Sequence, residues 1–324
     1  MREHPPELAA TAERQQHIVT RAQLLAAGYD DMYLYRQARR GQWQRVLPAT
    51  YALFTGVLTD EQRRISAALY AGPQAQLTSL AALAWYGFRQ IPRNTDVHLV
   101  VPHHARRRSA DYAVVRRALA LDAWPRSSAS YPVCSPARAV VDAARDLRQL
   151  RPVRAIVAES VQRGFTDLGR LDEEVRRARR SRTALIRMAY AEVVAGTRSA
   201  PEAELRECLA DSPILPEIRW NPRLRTLDGA ALPTPDGYLT DSAVALEVDS
   251  QEYHFSPSDW ARTLERHNEL SRHGVLVLHV TPAQLRRHPN RIRRTVEDAY
   301  ESRQGVGATL RVRVDPAGPE HAMA

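Results

Sequence analysis

The sequence predicts an α/β protein, α+β overall, in which short helices and strands alternate in several regions. Three observations lead to this class. A chain of 324 residues is long enough for two or three domains with separate hydrophobic cores. Helix-capping residues followed by glycine stops recur near the N-terminus. Short apolar segments, such as residues 96–101 and 275–280, have the length and composition of buried strands.

The composition predicts an acidic partner. The formal net charge is +9, and all 46 cationic side chains are arginines. Nucleic acid is the commonest partner of so basic a chain, and the planar arginine fork suits phosphate. The absence of lysine excludes lysine-based catalysis, although genomic composition bias also explains that absence.

Cysteine usage and hydropathy bear on the cellular location. Cys134 and Cys208 are too few for a disulfide framework or a zinc ribbon, which favours a reducing compartment. Residues 1–14 contain no apolar signal-peptide segment, and no stretch has the length of a transmembrane helix. We therefore expect a cytoplasmic protein that does not contact membranes.

Residues 12–56 have the pattern of a winged helix-turn-helix, in which two helices joined by a tight turn precede a hairpin. Thr20-Arg21-Ala22-Gln23 has the form of a capping box before the first helix. Residues 32–40 form the second predicted helix, and residues 43–47 and 50–54 form the hairpin. The second helix is the expected reader of DNA.

The predicted DNA-contacting residues are basic or aromatic and lie on this second helix, on the hairpin and in a loop at residues 103–108. They are Tyr33, Arg36, Arg39, Arg40, Arg45, Arg106, Arg107 and Arg108. The alternative is a solvated basic helix face and a solvated basic loop. An Arg-rich segment at residues 176–180 has the same two interpretations, as the lining of a DNA channel or as a solvated face.

Residues 57–150 are predicted to form a small α/β domain, because strand-like segments at 96–101 and 112–116 lie between helical segments. This part of the chain offers no catalytic constellation. Residues 151–196 are Arg-rich and are predicted to form a helical connector.

Five segments within residues 12–150 follow one another in a characteristic order: VTRAQLLAAGY, GQWQRVLPATYALF, LTSLAALAWYGF, DVHLVVP and CSPARAVVDAARD. In this order they resemble the AbiEi-type antitoxins of type IV toxin–antitoxin systems. The resemblance implies a winged helix that represses its own operon, joined to a small α/β domain. The chain has Pro48-Ala49-Thr50 where that family usually carries a glycine in the turn before its tyrosine.

Residues 235–249 read as two short strands around a Thr-Asp-Ser turn, with carboxylates where apolar residues are expected. A turn centred just after Asp241 places Asp236 opposite Glu247, and Glu247 shares a strand face with Asp249. Carboxylates so close repel one another unless solvent or a cation relieves them. A divalent-metal site is therefore a candidate here, because Mg²⁺ favours one or two carboxylates together with water and phosphate.

Residues 197–302 carry a longer ordered pattern: Ser199, Glu202, Leu205, Arg206, Asp236, Leu246, Glu247, Val248, Asp249, Tyr253, His254, Arg266, Asn268, Leu270, Gly274 and the strand at 277–281. This pattern resembles PD-(D/E)xK nucleases related to the very-short-patch repair endonucleases. The resemblance implies a restriction-endonuclease-like α/β sandwich on a mixed sheet. The chain departs from the family at three positions, where Ser250, His267 and His279 replace a usual glycine, acid and arginine.

The nuclease resemblance implies metal-dependent hydrolysis of DNA phosphodiesters. Mg²⁺ or Mn²⁺ would be held by Asp236 and Glu247, with Asp249 and Glu202 as further ligands. Asp249 takes the place of the usual activating lysine, although a strand-end aspartate often simply caps a turn. Glu202 has an equally good explanation in a capping box with Ser199.

The predicted catalytic residues are Asp236, Glu247, His254 and Arg266. His254 would act as general acid or base, and Arg266, or Arg262 in its place, would stabilise the charge that develops on phosphate. The alternatives are a histidine packed beside aromatic residues and an arginine that only neutralises the carboxylates.

Three functions remain open from the sequence. The first is a metal-dependent DNA endonuclease targeted by the winged helix, which the intact Asp236–Glu247 pair favours. The second is a non-catalytic DNA-binding antitoxin or autorepressor, which the missing lysine favours. The third is neutralisation of a toxin through residues 57–150. DNA is the expected partner, with a cognate toxin and a second copy of the chain as further candidates. Residues 303–324 are expected to form a flexible tail.

Overall fold

The structure is a computed structural model that describes residues 4–178, 181–248, 257–310 and 312–315, with the backbone alone at 257–263. The chain folds as two compact units, residues 1–190 and 191–324. This division leaves the finer domain boundaries of the sequence analysis as predictions. Among the described residues, no helix is both long and apolar enough to cross a membrane.

The helices of the described chain are α1 (Pro6–Arg14), α2 (Arg21–Ala26), α3 (Asp31–Arg39), α4 (Asp60–Ala71), α5 (Ser79–Trp85), α6 (Pro136–Asp146), α7 (Leu150–Gln162), α8 (Leu168–Arg177), α9 (Ala184–Val194), α10 (Ala200–Ala210), α11 (Pro257–Arg272), α12 (Pro282–Arg287) and α13 (Pro289–Ser302). The strands are β1 (Ile18–Thr20), β2 (Gln44–Leu47), β3 (Thr50–Ala52), β4 (Gln76–Leu77), β5 (Val97–Pro102), β6 (Ala113–Ala118), β7 (Arg126–Ser127), β8 (Pro132–Val133), β9 (Arg219–Trp220), β10 (Leu224–Thr226), β11 (Gly237–Leu239), β12 (Val244–Val248), β13 (Leu276–Val280) and β14 (Val312–Val314). This mixture agrees with the predicted α/β class.

The N-terminal part has the topology predicted for a winged helix. Helices α2 and α3 precede the hairpin β2–β3, and β1 pairs with β3 to complete a three-stranded antiparallel sheet. The capping box at the start of α2 is present, since the Thr20 hydroxyl accepts from the Gln23 amide at 3.2 Å and the Gln23 side chain accepts from the Thr20 amide at 2.8 Å. Leu24 and Leu34 anchor α2 and α3 in one core.

This part begins earlier than residue 12, where the sequence analysis places its start. Helix α1 precedes the predicted boundary, and its residues Leu8 and Ala12 are buried in the core that also holds Trp43. The signal for α1 is weak because only these two side chains of the helix are buried. Helix α4 packs against all three strands of this sheet, so the winged helix and the middle part share a helix.

A mixed sheet of order β6-β5-β4-β8-β7 forms the centre of the middle part. Strand β5 is parallel to β6 and antiparallel to β4, and its residues 97–101 are buried. Helices α4 and α5 pack on β5, and α6 packs on α5. Two of the helices in the predicted connector, α7 and α8, belong to this unit instead, because they pack on α6 and bury Ile156, Leu171 and Val175.

The second unit contains a mixed sheet of order β13-β12-β11-β9, in which β12 and β13 are parallel and the other pairs are antiparallel. Side chains on one face of this sheet pack with Leu205 of α10 and with Ile292 and Val296 of α13. Side chains on the other face pack with Leu270 of α11. The mixed α/β sandwich predicted for this region is therefore present, whereas its likeness to nucleases stays a prediction.

Part of the predicted flexible tail belongs to the folded second unit. Strand β14 pairs antiparallel with β10, with Leu224 opposite Val314 and Thr226 opposite Val312. Leu310, Val312 and Val314 pack against the core that contains Leu270, and this alternation of apolar residues is the signal that identifies the strand.

Candidate functional site

Helix α3 presents a basic and apolar face to solvent. Its N-cap is Asp30, whose carboxylate accepts from the Tyr33 amide at 2.6 Å. Leu34 is buried beneath the helix, whereas the outward face consists of Met32, Tyr35, Arg36 and Arg39. Met32 and Tyr35 are 62% and 60% exposed and are one helical turn apart, so they add apolar surface to this basic face.

Tyr33 is half-buried and packs against the core of the winged helix rather than standing on this face, which corrects the groove-facing position predicted for it. Its ring centroid is 5.0 Å from that of Tyr29 and 5.7 Å from that of Trp43. The three aromatic rings form one cluster, so Tyr33 fixes the orientation of α3. Tyr35, which the sequence analysis does not name, takes the exposed position.

The other predicted DNA contacts are on the surface of the first unit. Arg40 and Arg45 are exposed at the end of α3 and on β2. Arg106, Arg107 and Arg108 are exposed in the loop between β5 and β6. The Arg107 guanidinium lies 5.3 Å from the centroid of the Tyr70 ring, and the Tyr70 hydroxyl donates to the Arg108 carbonyl at 2.8 Å. Tyr70 therefore holds the C-terminal half of this loop in place.

In the second unit, the sheet brings Asp236 and Glu247 together as the hairpin register predicts. Gly237 is paired with Leu246, so the residues just outside that pair, Asp236 and Glu247, lie opposite each other. The Val248 amide donates to Asp236 Oδ2 at 2.7 Å, which fixes the aspartate at the strand end. In the parallel pair, Glu247 is also directly beside His279 of β13.

Helix α11 adds two side chains to the group formed by Asp236, Glu247 and His279. The Arg266 Nη2 donates to Glu247 Oε1 at 3.3 Å and to the Thr234 carbonyl at 3.0 Å. His267 Nδ1 lies 2.8 Å from His279 Nε2. The two histidines, which appear in the sequence only as departures from the resembled family, thus contact each other next to Glu247. No local sequence signal joins them, since one is on a helix and the other on a strand.

The carboxyl group of Asp236 is electrostatically unusual. Burial, followed by the nearby Glu202, raises the pKa of Asp236 to about 6. The Val248 amide and the guanidinium groups of Arg266 and Arg198 act in the opposite direction. Asp236 therefore changes charge close to neutral pH, as acid–base residues and cation ligands often do.

Glu202 serves the start of α10. Its carboxylate accepts from the Arg198 amide at 2.9 Å, from the Ser199 hydroxyl at 3.0 Å and from Asn221 Nδ2 at 3.3 Å. The Ser199 hydroxyl in turn accepts from the Glu202 amide at 3.2 Å. These contacts occupy both carboxylate oxygens, so they favour the capping explanation for Glu202 over the metal-ligand role.

The fit of this site to a divalent cation is partial. Asp236 and Glu247 supply the two carboxylates that suit a hard cation with water in its remaining positions. Within the part of the chain that the structure describes, no three histidine, cysteine or acidic side chains group as a metal site. Asp249 and His254, which are predicted as metal ligand and acid–base residue, lie outside the described residues.

Comparisons with known proteins support the N-terminal resemblance. Residues 6–53 match the family model described as "Transcriptional regulator, AbiEi antitoxin". The crystal structure of the RV2827C protein from Mycobacterium tuberculosis is similar over 68% of this chain and 90% of that chain, at 16% identity and a TM-score of 0.39, which is too low to establish a shared fold. No curated protein matches the sequence at a significant level. The family match ends at residue 53, so it supports the winged helix and leaves the second unit without an assigned family.

Proposed function

We propose that the protein is a DNA-binding transcriptional regulator that reads DNA with helix α3. The observation that carries the proposal is the exposed face of α3, where Met32, Tyr35, Arg36 and Arg39 follow the helical spacing i, i+3, i+4 and i+7. The family match over residues 6–53 supports the same function, because that family is described as a transcriptional regulator.

The residues on α3 suit both kinds of DNA contact. In helix-turn-helix proteins the second helix enters the major groove, where arginine donates two hydrogen bonds to guanine and apolar groups contact the thymine methyl. Arg36 and Arg39 can supply the first contact, and Met32 and Tyr35 the second. Arg45 on the hairpin suits the flanking phosphates, which position the protein without reading sequence.

A footprint on the DNA upstream of the protein's own gene, followed by gel-shift titration, tests this proposal. The double variant Arg36→Ala with Arg39→Ala should weaken binding about 100-fold or more, because each base-contacting arginine is worth about 1–3 kcal/mol. Arg170→Gln on α8 is a matched control, since Arg170 is highly exposed and its side chain makes only an i,i+3 ion pair among the described residues. Equal weakening in the control, or no footprint, would contradict the proposal.

The narrower form of the proposal is an antitoxin that represses its own operon, with a toxin encoded beside it. A homodimer would place two α3 helices on half-sites about one DNA turn apart. Light scattering of the protein on its footprinted site measures this stoichiometry. Two chains on a palindromic site support the dimer, and one chain on an asymmetric site contradicts it.

The second candidate function is metal-dependent DNA cleavage in the second unit. The favouring observation is the Asp236–Glu247 pair, held in register with Arg266 3.3 Å from Glu247. A divalent ion held by this pair would supply Lewis-acid activation of the phosphate and of a water. Arg266 can stabilise the developing charge, and the imidazoles of His267 and His279 can hold or move a proton.

Plasmid cleavage with Mg²⁺ or Mn²⁺ tests this second candidate. Cutting by the unmodified protein should fall at least about 100-fold in Asp236→Asn and in Glu247→Gln, because each change removes a ligand charge. Asp298→Asn is the matched control, since Asp298 is an exposed acid on α13. Absence of cutting in the unmodified protein excludes the endonuclease and leaves the regulator proposal untouched.

A further inference from the structure

A cleft of about 830 Å³ opens in the first unit, and its lining includes none of the α3 residues proposed to read DNA. The volume lies in the range of small-molecule sites, which is about 300–1,000 Å³. The cleft lies next to two basic segments that are separate in the sequence. His103 stands just before the basic loop at 106–108, and Arg177 belongs to the basic segment at 176–180. Both residues line the same cleft.

The lining of the cleft carries more positive than negative charge. Its arginines are Arg117, Arg138, Arg145 and Arg177, and its carboxylates are Asp122, Asp142 and Glu174. All three carboxylates already have partners, since Asp122 accepts from the backbone amides of Ser135 and Trp124. Arg138 Nε donates to Asp142 Oδ2 at 3.0 Å, and Arg177 Nη1 donates to Glu174 Oε1 at 3.2 Å.

Two cations remain available for a ligand. The Arg117 side chain makes no hydrogen bond or ion pair with the residues that the structure describes. Arg145 reaches Asp142 only at 3.9 Å, and its buried Nε has no hydrogen-bond partner among the described residues. The Arg145 side chain is 33% exposed and lines the cleft, so an anionic group in the cleft can pair with its guanidinium.

The rest of the lining is apolar. Leu119, Leu121 and Val141 contribute to it, and Leu119 is 73% exposed. An inorganic anion alone would leave this apolar surface uncovered, and an apolar ligand alone would leave the two arginines unneutralised. The ligand therefore needs both an anionic group and a flat apolar group.

We propose that this cleft binds a nucleotide, with its phosphate on Arg117 and Arg145 and its base against the apolar side chains of Leu119, Leu121 and Val141. Arginine forks suit phosphate oxygens, and the flat face of a base can cover apolar side chains. The nucleotide can be free or can be one unit of a single-stranded nucleic acid. This site is additional to the DNA-reading surface and uses none of its residues.

Calorimetric titration of the full chain with adenosine 5′-monophosphate, adenosine and inorganic phosphate tests the proposal. The monophosphate should bind at least tenfold more tightly than either of the other two compounds. Arg117→Gln, which cannot disturb the core because Arg117 is exposed, should weaken binding of the monophosphate about tenfold. Arg117→Gln with Arg145→Gln should weaken it further.

Three controls separate this site from general charge and from α3. Arg170→Gln, and Arg36→Ala with Arg39→Ala, should both leave binding of the monophosphate unchanged. A 5′-phosphorylated thymidine pentanucleotide should compete with the monophosphate. Tighter binding of the pentanucleotide would identify a nucleic-acid strand as the source, and equal binding would identify the free nucleotide.

Three results would overturn the proposal. They are no heat with any nucleotide probe at millimolar concentration, equal weakening in Arg170→Gln, or binding of a phenylalanine-containing acidic hexapeptide in place of the monophosphate. The last result would assign the cleft to a protein segment.

Discussion

At the scale of single residues, Ala49 carries a local backbone strain. Its φ is +57°, in the left-handed region that favours glycine, at the turn between β2 and β3. The Ala49 carbonyl accepts from the Arg21 amide at 2.8 Å, which ties this turn to the start of α2. The AbiEi-type antitoxins that the N-terminal half resembles usually carry a glycine in this turn. The structure thus gives a physical reason for that preference.

We expect Ala49→Gly to raise the free energy of unfolding by about 0.5–1 kcal/mol, because relief of the left-handed strain exceeds the entropy that glycine adds to the unfolded chain. Urea denaturation measures the change. Ala10→Gly is the matched control on α1, where the same substitution should lower the free energy of unfolding by about 1 kcal/mol. Destabilisation by Ala49→Gly would contradict the assigned turn.

Asp236 is the residue whose ionisation most affects the second unit. Its pKa is raised to about 6, so the folded protein binds this proton more tightly than the unfolded chain does. The stabilising contribution of the neutral carboxyl is complete below the unfolded pKa of about 3.9 and is lost as pH rises through about 6. The Asp236 carboxylate is therefore a stability cost at neutral pH in the absence of a cation.

We expect Asp236→Asn to gain stability relative to the unmodified protein as pH rises. The gain in the free energy of unfolding between pH 4 and pH 8 should be about 2–3 kcal/mol, because the amide keeps an acceptor for the Val248 amide without a charge. Chemical denaturation in EDTA at both pH values measures it. If the free energy of unfolding depended on pH equally in the two proteins, the pKa of Asp236 would not be raised by folding.

At the scale of elements, two neighbouring tyrosines on α3 have different roles, one in packing and the other on the surface. Tyr33 packs in the aromatic cluster with Tyr29 and Trp43, and Tyr35 is exposed. Both types of position look alike in the sequence, since each tyrosine lies near an arginine on a basic helix. Tyr33 holds the helix in its orientation, and Tyr35 is available to contact a partner.

We expect Tyr33→Ala to lower the free energy of unfolding by about 2–4 kcal/mol through loss of aromatic packing, somewhat less than a fully buried ring would lose. Tyr35→Ala should change stability by less than about 0.5 kcal/mol and should weaken DNA binding. Thermal denaturation and gel shifts measure the two effects. The reverse pattern would mean that the exposed face of α3 is wrongly assigned.

The sequence predicts elements well where the signals are local. The register of the hairpin follows from alternation and a short turn, so Asp236 opposite Glu247 was predictable. The capping box at Thr20 is equally local. The contact of His267 with His279 and the pairing of β14 with β10 depend on parts of the chain distant in sequence. Those contacts become visible only when the sheet is assembled.

At the scale of the whole molecule, the two compact units divide the candidate functions. The DNA-reading face of α3 and the nucleotide cleft are both in residues 1–190, and the carboxylate pair is in residues 191–324. The buried core beneath α3 is formed within residues 8–43. The regulator proposal therefore requires nothing from the second unit.

We expect a fragment of residues 1–190 to fold and to bind the footprinted DNA within about threefold of the affinity of the full chain, because all proposed base contacts are in this unit. Circular dichroism and gel shifts measure both properties. A folded fragment that binds at least tenfold more weakly would show that the second unit contributes to DNA recognition.

The most direct test of the central claim is the salt dependence of DNA binding, followed by fluorescence anisotropy on the footprinted duplex. The account predicts that the unmodified protein binds this duplex more tightly than a scrambled duplex, with an affinity that falls steeply as salt rises. Arg36→Ala with Arg39→Ala should abolish the preference for the specific duplex while residual salt-dependent binding persists. Retention of the preference in this double variant would contradict the claim that α3 reads DNA.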